Sequence, residues 1–197
     1  MQVKQKLLAE LSSGDDERAE AAVAGLAEYG AQALPELKEL FTSASSIQAQ
    51  DVDRRWWALR ALAEISDPQV TPLLITALHD EDASVRQCAA MGARKQPDPL
   101  LVPVLIEMLS DEDHLCASLA ADALATIGSP SVQPLIEVLE NGRQAARLEA
   151  VRALANIGDQ RSIPALFNVL DEESALLEYW ATEGLERMGV GMNFFKP

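Results

Sequence analysis

Leu124-Ala-Thr-Ile-Gly128 and Leu154-Ala-Asn-Ile-Gly158 decide the fold, because near copies of this five-residue segment recur along the chain at an almost fixed step. Leu26-Ala-Glu-Tyr-Gly30, Leu62-Ala-Glu-Ile-Ser66 and Leu185-Glu-Arg-Met-Gly189 complete the set, with spacings in chain order of 36, 62, 30 and 31 residues. The longest step spans two units, and the missing copy falls at Ala93-Arg-Lys-Gln-Pro97, which has lost its Leu and Ile. A second series, Pro-x-Leu-x-x-x-Leu, keeps the same step at Pro72/Leu74/Leu78, Pro103/Leu105/Leu109 and Pro164/Leu166/Leu170. Pro35/Leu37/Phe41 and Pro134/Leu135/Leu139 are imperfect copies, and Leu7/Leu11 starts the set without a proline. Two motifs sharing one period of about 31 residues mark a repeat array.

Within each unit the period is helical. From Gln144 to Ile157, steps of about 100° gather Ala150, Val151, Leu154 and Ile157 on one side, with Ala145, Glu149, Arg152 and Asn156 opposite. Asp67-Pro68, Asp98-Pro99 and Ser129-Pro130 read as cap residues before a proline at the first helical position. Gly30, Gly128, Gly158 and Gly189 stand where a helix-ending glycine belongs, and Pro72, Pro103, Pro134 and Pro164 are expected to bend the first helix of each pair. The reading is all-α, an α-solenoid of about six helical hairpins at 2–29, 33–65, 68–95, 99–127, 130–157 and 161–188. Ser43 to Gln50 is an enlarged loop inside the second repeat. Gly189 to Pro197, with Met192, Phe194 and Phe195, is expected to cap the last repeat. Ala93 and Gln96 stand where the third repeat should bury Leu and Ile, so the array is expected to be weakest there.

Composition narrows the class. The 197 residues carry 16 Lys plus Arg against 31 Asp plus Glu, a net charge of −15, the wrong sign for a binder of nucleic-acid backbones or anionic membranes. Two cysteines, Cys88 and Cys116, form no disulfide framework and suit a reducing, cytoplasmic setting. Met1 to Glu10 has no leader-like apolar core, and no apolar run has membrane-span length.

The period, the Pro-x-Leu-x-x-x-Leu helix, the Asp80-Glu-Asp-x-x-Val-Arg86 junction and the Leu-Ala-x-Ile-Gly ending together resemble HEAT-like repeats of the phycobilisome-lyase type along essentially the whole chain. The resemblance implies the solenoid strongly and a function weakly, since such repeats serve scaffolds, assembly factors and a few enzymes. The family's junction arginine resembles Arg55, Arg86 and Arg147, while Ala117 and Glu178 depart from it. The resemblance gives these arginines an architectural role, pairing with acids of neighbouring loops.

Catalytic and metal motifs are scarce. His79 and His114 are the only histidines; Asp111, Asp113, His114 and Cys116 lie close in sequence but lack the convergent spacing of a zinc site. No His-Glu pair occurs, which removes di-iron HEAT-like enzymes. The triplets 80–82, 111–113 and 171–173 lack the glycine and distal glutamate of a calcium loop and sit where acids favour a helix N-terminus. Neither cysteine has a base in pattern, so no cofactor, metal or catalytic residue is expected.

The informative feature is the outward row of the second helices, expected to line a concave side: Ala21, Trp57, Cys88, Leu119, Glu149 and Trp180, with Met91, Leu115 and Leu176 beside it. Large apolar residues on a solvated face mark an interaction site. Arg60, Lys95, Arg152 and Arg187 are expected to meet acidic groups of a partner. Trp56 and Tyr179 are expected to pack between repeats. The main expectation is a non-catalytic adaptor holding a helix or extended segment of another protein. The alternatives for the face are burial by tight curvature and burial in a homodimer. The second function, implied by the resemblance, is a bilin lyase or isomerase subunit in which Trp57 and Trp180 stack on a tetrapyrrole and Arg60 or Arg152 meets its propionates.

Overall fold

The structure, a computed structural model, describes residues 2–44 and 46–190. Every regular element among them is helical. The chain divides into two compact units, Met1–Gln96 and Pro97–Pro197, and the division falls in the repeat whose closing segment departs from the motif. The expected capping tail lies, beyond Val190, outside the described residues.

Unit 1 holds three helical hairpins: α1 (Gln2–Leu11) with α2 (Asp16–Ala27), α3 (Leu34–Ser43) with α4 (Ala49–Leu62), and α5 (Val70–Ala77) with α6 (Ala83–Lys95). Unit 2 holds α7 (Val102–Met108) with α8 (His114–Ile127), α9 (Val132–Asn141) with α10 (Gln144–Ile157), and α11 (Ile163–Val169) with α12 (Ala175–Arg187). Second helices stack in order within each unit, α2 on α4 on α6 and α8 on α10 on α12. The chain is thus all-α, with hairpins of the solenoid type.

The repeated leucines are the core. Leu26, Leu62, Leu124 and Leu154 have no solvent exposure, and burying a leucine fully contributes about 1.5–3 kcal/mol. Alanines such as Ala58, Ala89, Ala120 and Ala150, also fully buried, let neighbouring helices approach. At Gly92 a Cβ would come within 2.8 Å of the Leu74 side chain, so even alanine is too large for the present packing.

The first helix of a repeat begins later than expected. A 3-10 turn comes first, at Gly30–Ala33, Pro99–Leu101, Ser129–Ser131 and Gln160–Ser162. Pro103 and Pro164 then occupy the second position of the α-helix proper. There a missing N–H costs nothing, so these prolines open a helix instead of bending one. Ser129 lies inside the turn that it was expected to cap. Gly158, which closes α10, has φ 65° and ψ 29°, left-handed values that disfavour side chains. Asp15, Asp82 and Asp113 cap the second helices, accepting from the N–H groups of Arg18, Ser84 and Cys116 at 3.1, 2.8 and 2.9 Å.

The junction arginines brace the loops. Arg55, nearly buried, donates from Nε and Nη2 to the Asp80 carboxylate at 2.7 and 2.9 Å, and from Nη1 to the carbonyls of Ala44 and Ser46 at 3.3 and 2.8 Å. These bonds tie down the enlarged loop between α3 and α4. Arg147 likewise pairs with Glu172 of the next repeat and donates to the Leu139 carbonyl, whereas Arg86 donates to the carbonyls of Asp80 and Glu81 at 2.9 and 3.1 Å. In the degenerate third repeat, Gln96 Nε2 donates to the Ala63 and Leu62 carbonyls at 2.8 and 3.3 Å. Those bonds satisfy carbonyls at the end of α4, a polar substitute for the missing isoleucine. No single helix among the described residues is long and apolar enough to cross a membrane.

Candidate functional site

The expected stripe falls three helices to each unit. In unit 1 it is built on α4, whose Trp57 is half-buried and meets Trp56 edge-to-face, ring centroids 4.7 Å apart. Cys88 is corrected from the solvent-facing row: it is only 2% exposed. Its Sγ reaches the Trp56 carbonyl oxygen at 3.7 Å, and burial pushes the thiol up to about 12, although nearby Arg60 works the other way. A protonated, covered thiol is no nucleophile. Met91, one turn on, is 42% exposed.

Two kinds of recess flank these residues. Near the N-terminal half of α4, clefts of about 270 and 350 Å³ share Asp16, Asp53 and Trp57 in their walls. Near its C-terminal end, a cleft of about 410 Å³ is lined by Arg60, Arg94 and Lys95 against one carboxylate, Glu64, with Ala63, Cys88, Met91 and Gly92 as apolar wall.

The cations expected to await a partner are already engaged. Arg60 pairs with Glu64 and, at 2.8 Å, with Glu20 of α2. Lys95 also pairs with Glu64. Hydrogen bonds from Lys95 and then Arg60 hold the Glu64 carboxyl below the usual glutamate range. In unit 2, Arg152 donates to Asp122 at 2.6 Å, to the Ser118 carbonyl at 2.7 Å and to Glu149 at 2.8 Å. Arg187 donates to Asn156 at 2.8 Å. Each cation reaches back to the preceding second helix, so the ladder is structural first. Its signal was available in the sequence: Glu64, Asp122 and Asn156 stand one period before Lys95, Arg152 and Arg187.

Unit 2 gathers the apolar members. Leu115 is 54% and Leu176 60% exposed, while Leu119, Glu149 and Trp180 are half-buried. Tyr179 is 55% exposed and meets Trp180 edge-to-face at 5.3 Å. With more than half of its surface in solvent, it does not pack between repeats as expected. Among the described residues no three His, Cys, Asp or Glu side chains group as metal ligands.

The sequence model for HEAT repeats matches residues 44–125 and 102–186. A phycobilisome maturation protein of Synechococcus elongatus is 37% identical over 73 residues, 36% of this chain and 35% of the relative. A phycocyanobilin lyase subunit beta of Pseudanabaena tenuis is 39% identical over 73 residues, 36% of this chain and 26% of the relative. The match thus spans only about a third and a quarter of these two proteins. Among solved structures, the complex of CpcE and CpcF of phycocyanin lyase from Nostoc superposes with a TM-score of 0.59 at 24% identity, over 76% of this chain and 96% of that one. A designed armadillo repeat protein in complex with the peptide (KR)4 gives 0.52 at 18% identity, over 93% and 98%. At such identities the likeness is one of fold. The two sequence relatives overturn the expectation of a non-catalytic adaptor with no enzymatic part: they are named for maturation and for a lyase, which favours the second expectation.

Proposed function

This chain belongs to the HEAT repeat family, and on that premise we propose that it is a subunit of a bilin lyase-type enzyme that holds a linear tetrapyrrole for a phycobiliprotein. Support for the class comes from the relatives named a phycobilisome maturation protein and a phycocyanobilin lyase subunit beta. A subunit so related works beside a second protein chain, in the cytoplasm.

One structural observation carries the choice of site: the cleft at the end of α4 combines three cations, one acid and an apolar wall. A tetrapyrrole is a conjugated apolar body with carboxylate side chains, and a cleft of that kind suits its anionic edge. Arg94 and Lys95 meet the propionates, Met91 packs against the pyrrole rings, and Glu64 positions Lys95 and Arg60. The Trp57 recess is the poorer candidate for that edge, since Asp16 and Asp53 would repel carboxylates. With Cys88 protonated and covered, the chain's part is to grip and orient the chromophore.

The test is visible absorption of the purified protein after incubation with phycocyanobilin and gel filtration. The wild type retains a visible band, and Arg94→Gln/Lys95→Gln weakens retention by about tenfold, the loss of two charge-assisted contacts. A wild type that retains no band, alone or with a second lyase subunit, refutes the reading.

A further inference from the structure

We propose that the Trp57 recess of unit 1 is a docking site for an arginine or lysine side chain on a basic segment of a partner protein. The inference goes beyond the bilin reading and does not rest on it. The two clefts beside Trp57, about 270 and 350 Å³, share the same three walls: the indole of Trp57 and the carboxylates of Asp16 and Asp53. Trp56 meets that indole edge-to-face, ring centroids 4.7 Å apart, a contact that restrains the ring. A cation over an indole face is held by the ring quadrupole, and carboxylates beside it add Coulomb attraction.

Charge complementarity selects the occupant. Glu20, farther along α2, and Glu64, just past the end of α4, are neutralised by Arg60 and Lys95. Asp16, in the first turn of α2, and Asp53 have no ion pair or side-chain hydrogen bond among the described residues. Arg54, the cation at the rim, is exposed and turned to Asp51 at 3.7 Å. Among the described residues no cation is paired with either of the two acids that line the clefts with Trp57. Clefts of this volume have room for a long cationic side chain, and the overall charge of −15 draws such segments in. An anionic or neutral apolar partner would strand both carboxylates.

The probe is a fluorescein-labelled heptapeptide of alternating glycine and arginine, read by anisotropy against the full chain, with a glutamine-for-arginine peptide as blank. Because an acidic protein attracts any cationic peptide, Glu107→Gln/Glu140→Gln, two exposed acids on α7 and α9, is the charge-matched control. The expected result is about a tenfold loss of affinity in Asp16→Asn/Asp53→Asn and in Trp57→Ala, little loss in Trp57→Phe, and none in the control pair. Circular dichroism confirms that each variant keeps its helicity, and the aspartate pair, being exposed, tests the site even if Trp57→Ala unfolds. Equal losses in the control pair, an unchanged Asp16→Asn/Asp53→Asn, or spermidine competing as well as the peptide would each overturn the proposal. Bilin retention is read separately through Arg94 and Lys95, so either idea can fail alone.

Discussion

The second-helix faces of the two units use one repeat geometry for different surfaces. In unit 1 the N-terminal end of the face carries Asp16, Asp53 and the paired indoles, and its C-terminal end a cluster of cations. In unit 2 the N-terminal end is apolar, with Leu115 and Leu176 exposed beside Trp180, and Arg152 and Arg187 reach back to the preceding second helix as Arg60 and Lys95 do in unit 1. The buried faces are nearly interchangeable: leucine at the helix-closing position, alanine where helices meet. The repeat therefore constrains the inside, because each hairpin must bury the same stripe against its neighbours, and leaves the outside to vary.

The largest difference between the units should lie in their junction arginines. Arg55 and Asp80 are nearly buried, with side-chain exposures of 8% and 11%, whereas Arg147 and Glu172 have 20% and 37%. Removing one partner of a buried pair strands the other charge and typically costs about 3–5 kcal/mol; a partly solvated pair costs about 1 kcal/mol. Arg55→Ala should accordingly destabilise unit 1 far more than Arg147→Ala destabilises unit 2. Urea unfolding followed by thiol labelling reads each unit separately, since Cys88 and Cys116 are both buried, one per unit. Equal shifts for the two variants would mean that the Arg55 pair is more solvated than its geometry implies.

The legibility of this molecule in its sequence follows the same inside–outside division. Leu62, Leu124 and Leu154 recur because burial forces them to, so the period, the helices and the hairpin count can be read directly. Cys88 and Trp57 occupy equivalent positions, yet one is covered and the other lines an open cleft. That outcome depends on the bulk of neighbouring side chains, which a helical wheel does not contain. The cation ladder is the opposite case. Two of its pairs, Glu64–Lys95 and Asp122–Arg152, are separated by one repeat, so a search for acids one period before each cation would have found them, but isolated cations on a solvated face look like free charges.

An intermediate effect is expected from pH, and here the units diverge through one position. Glu64 and Asn156 hold the same place in their repeats and accept from Lys95 and Arg187. The Glu64 carboxyl is depressed by Lys95 and Arg60, so its contribution is present above the ordinary glutamate value and is lost as pH falls through the lower folded value. Glu64→Gln should cost unit 1 up to about 1 kcal/mol at neutral pH and nothing once the pH is below the carboxylate range. The amide of Asn156 does not titrate, so its link should hold across the same range. Asn156→Asp should transfer the pH dependence to unit 2. If Glu64→Gln costs the same at every pH, the carboxylate is not what holds Arg60 and Lys95.

The smallest effect tests whether the apolar end of unit 2 is open in solution. Leu115 and Leu176 are more than half exposed, and serine at such positions ordinarily changes stability by no more than about 0.5 kcal/mol. Leu115→Ser/Leu176→Ser should therefore leave the Cys116 labelling midpoint nearly unmoved, while Leu154→Ala, at a fully buried site of the same unit, should cost about 2–5 kcal/mol. The contrast has a built-in check. If a second copy of the chain covers this face, the double serine variant becomes destabilising and the wild-type midpoint rises with protein concentration, because association stabilises only the folded form. A midpoint independent of concentration, together with a silent double variant, leaves unit 2 with an uncovered apolar end. Unit 1 then differs from it in the chemistry of its exposed face and not in its degree of cover.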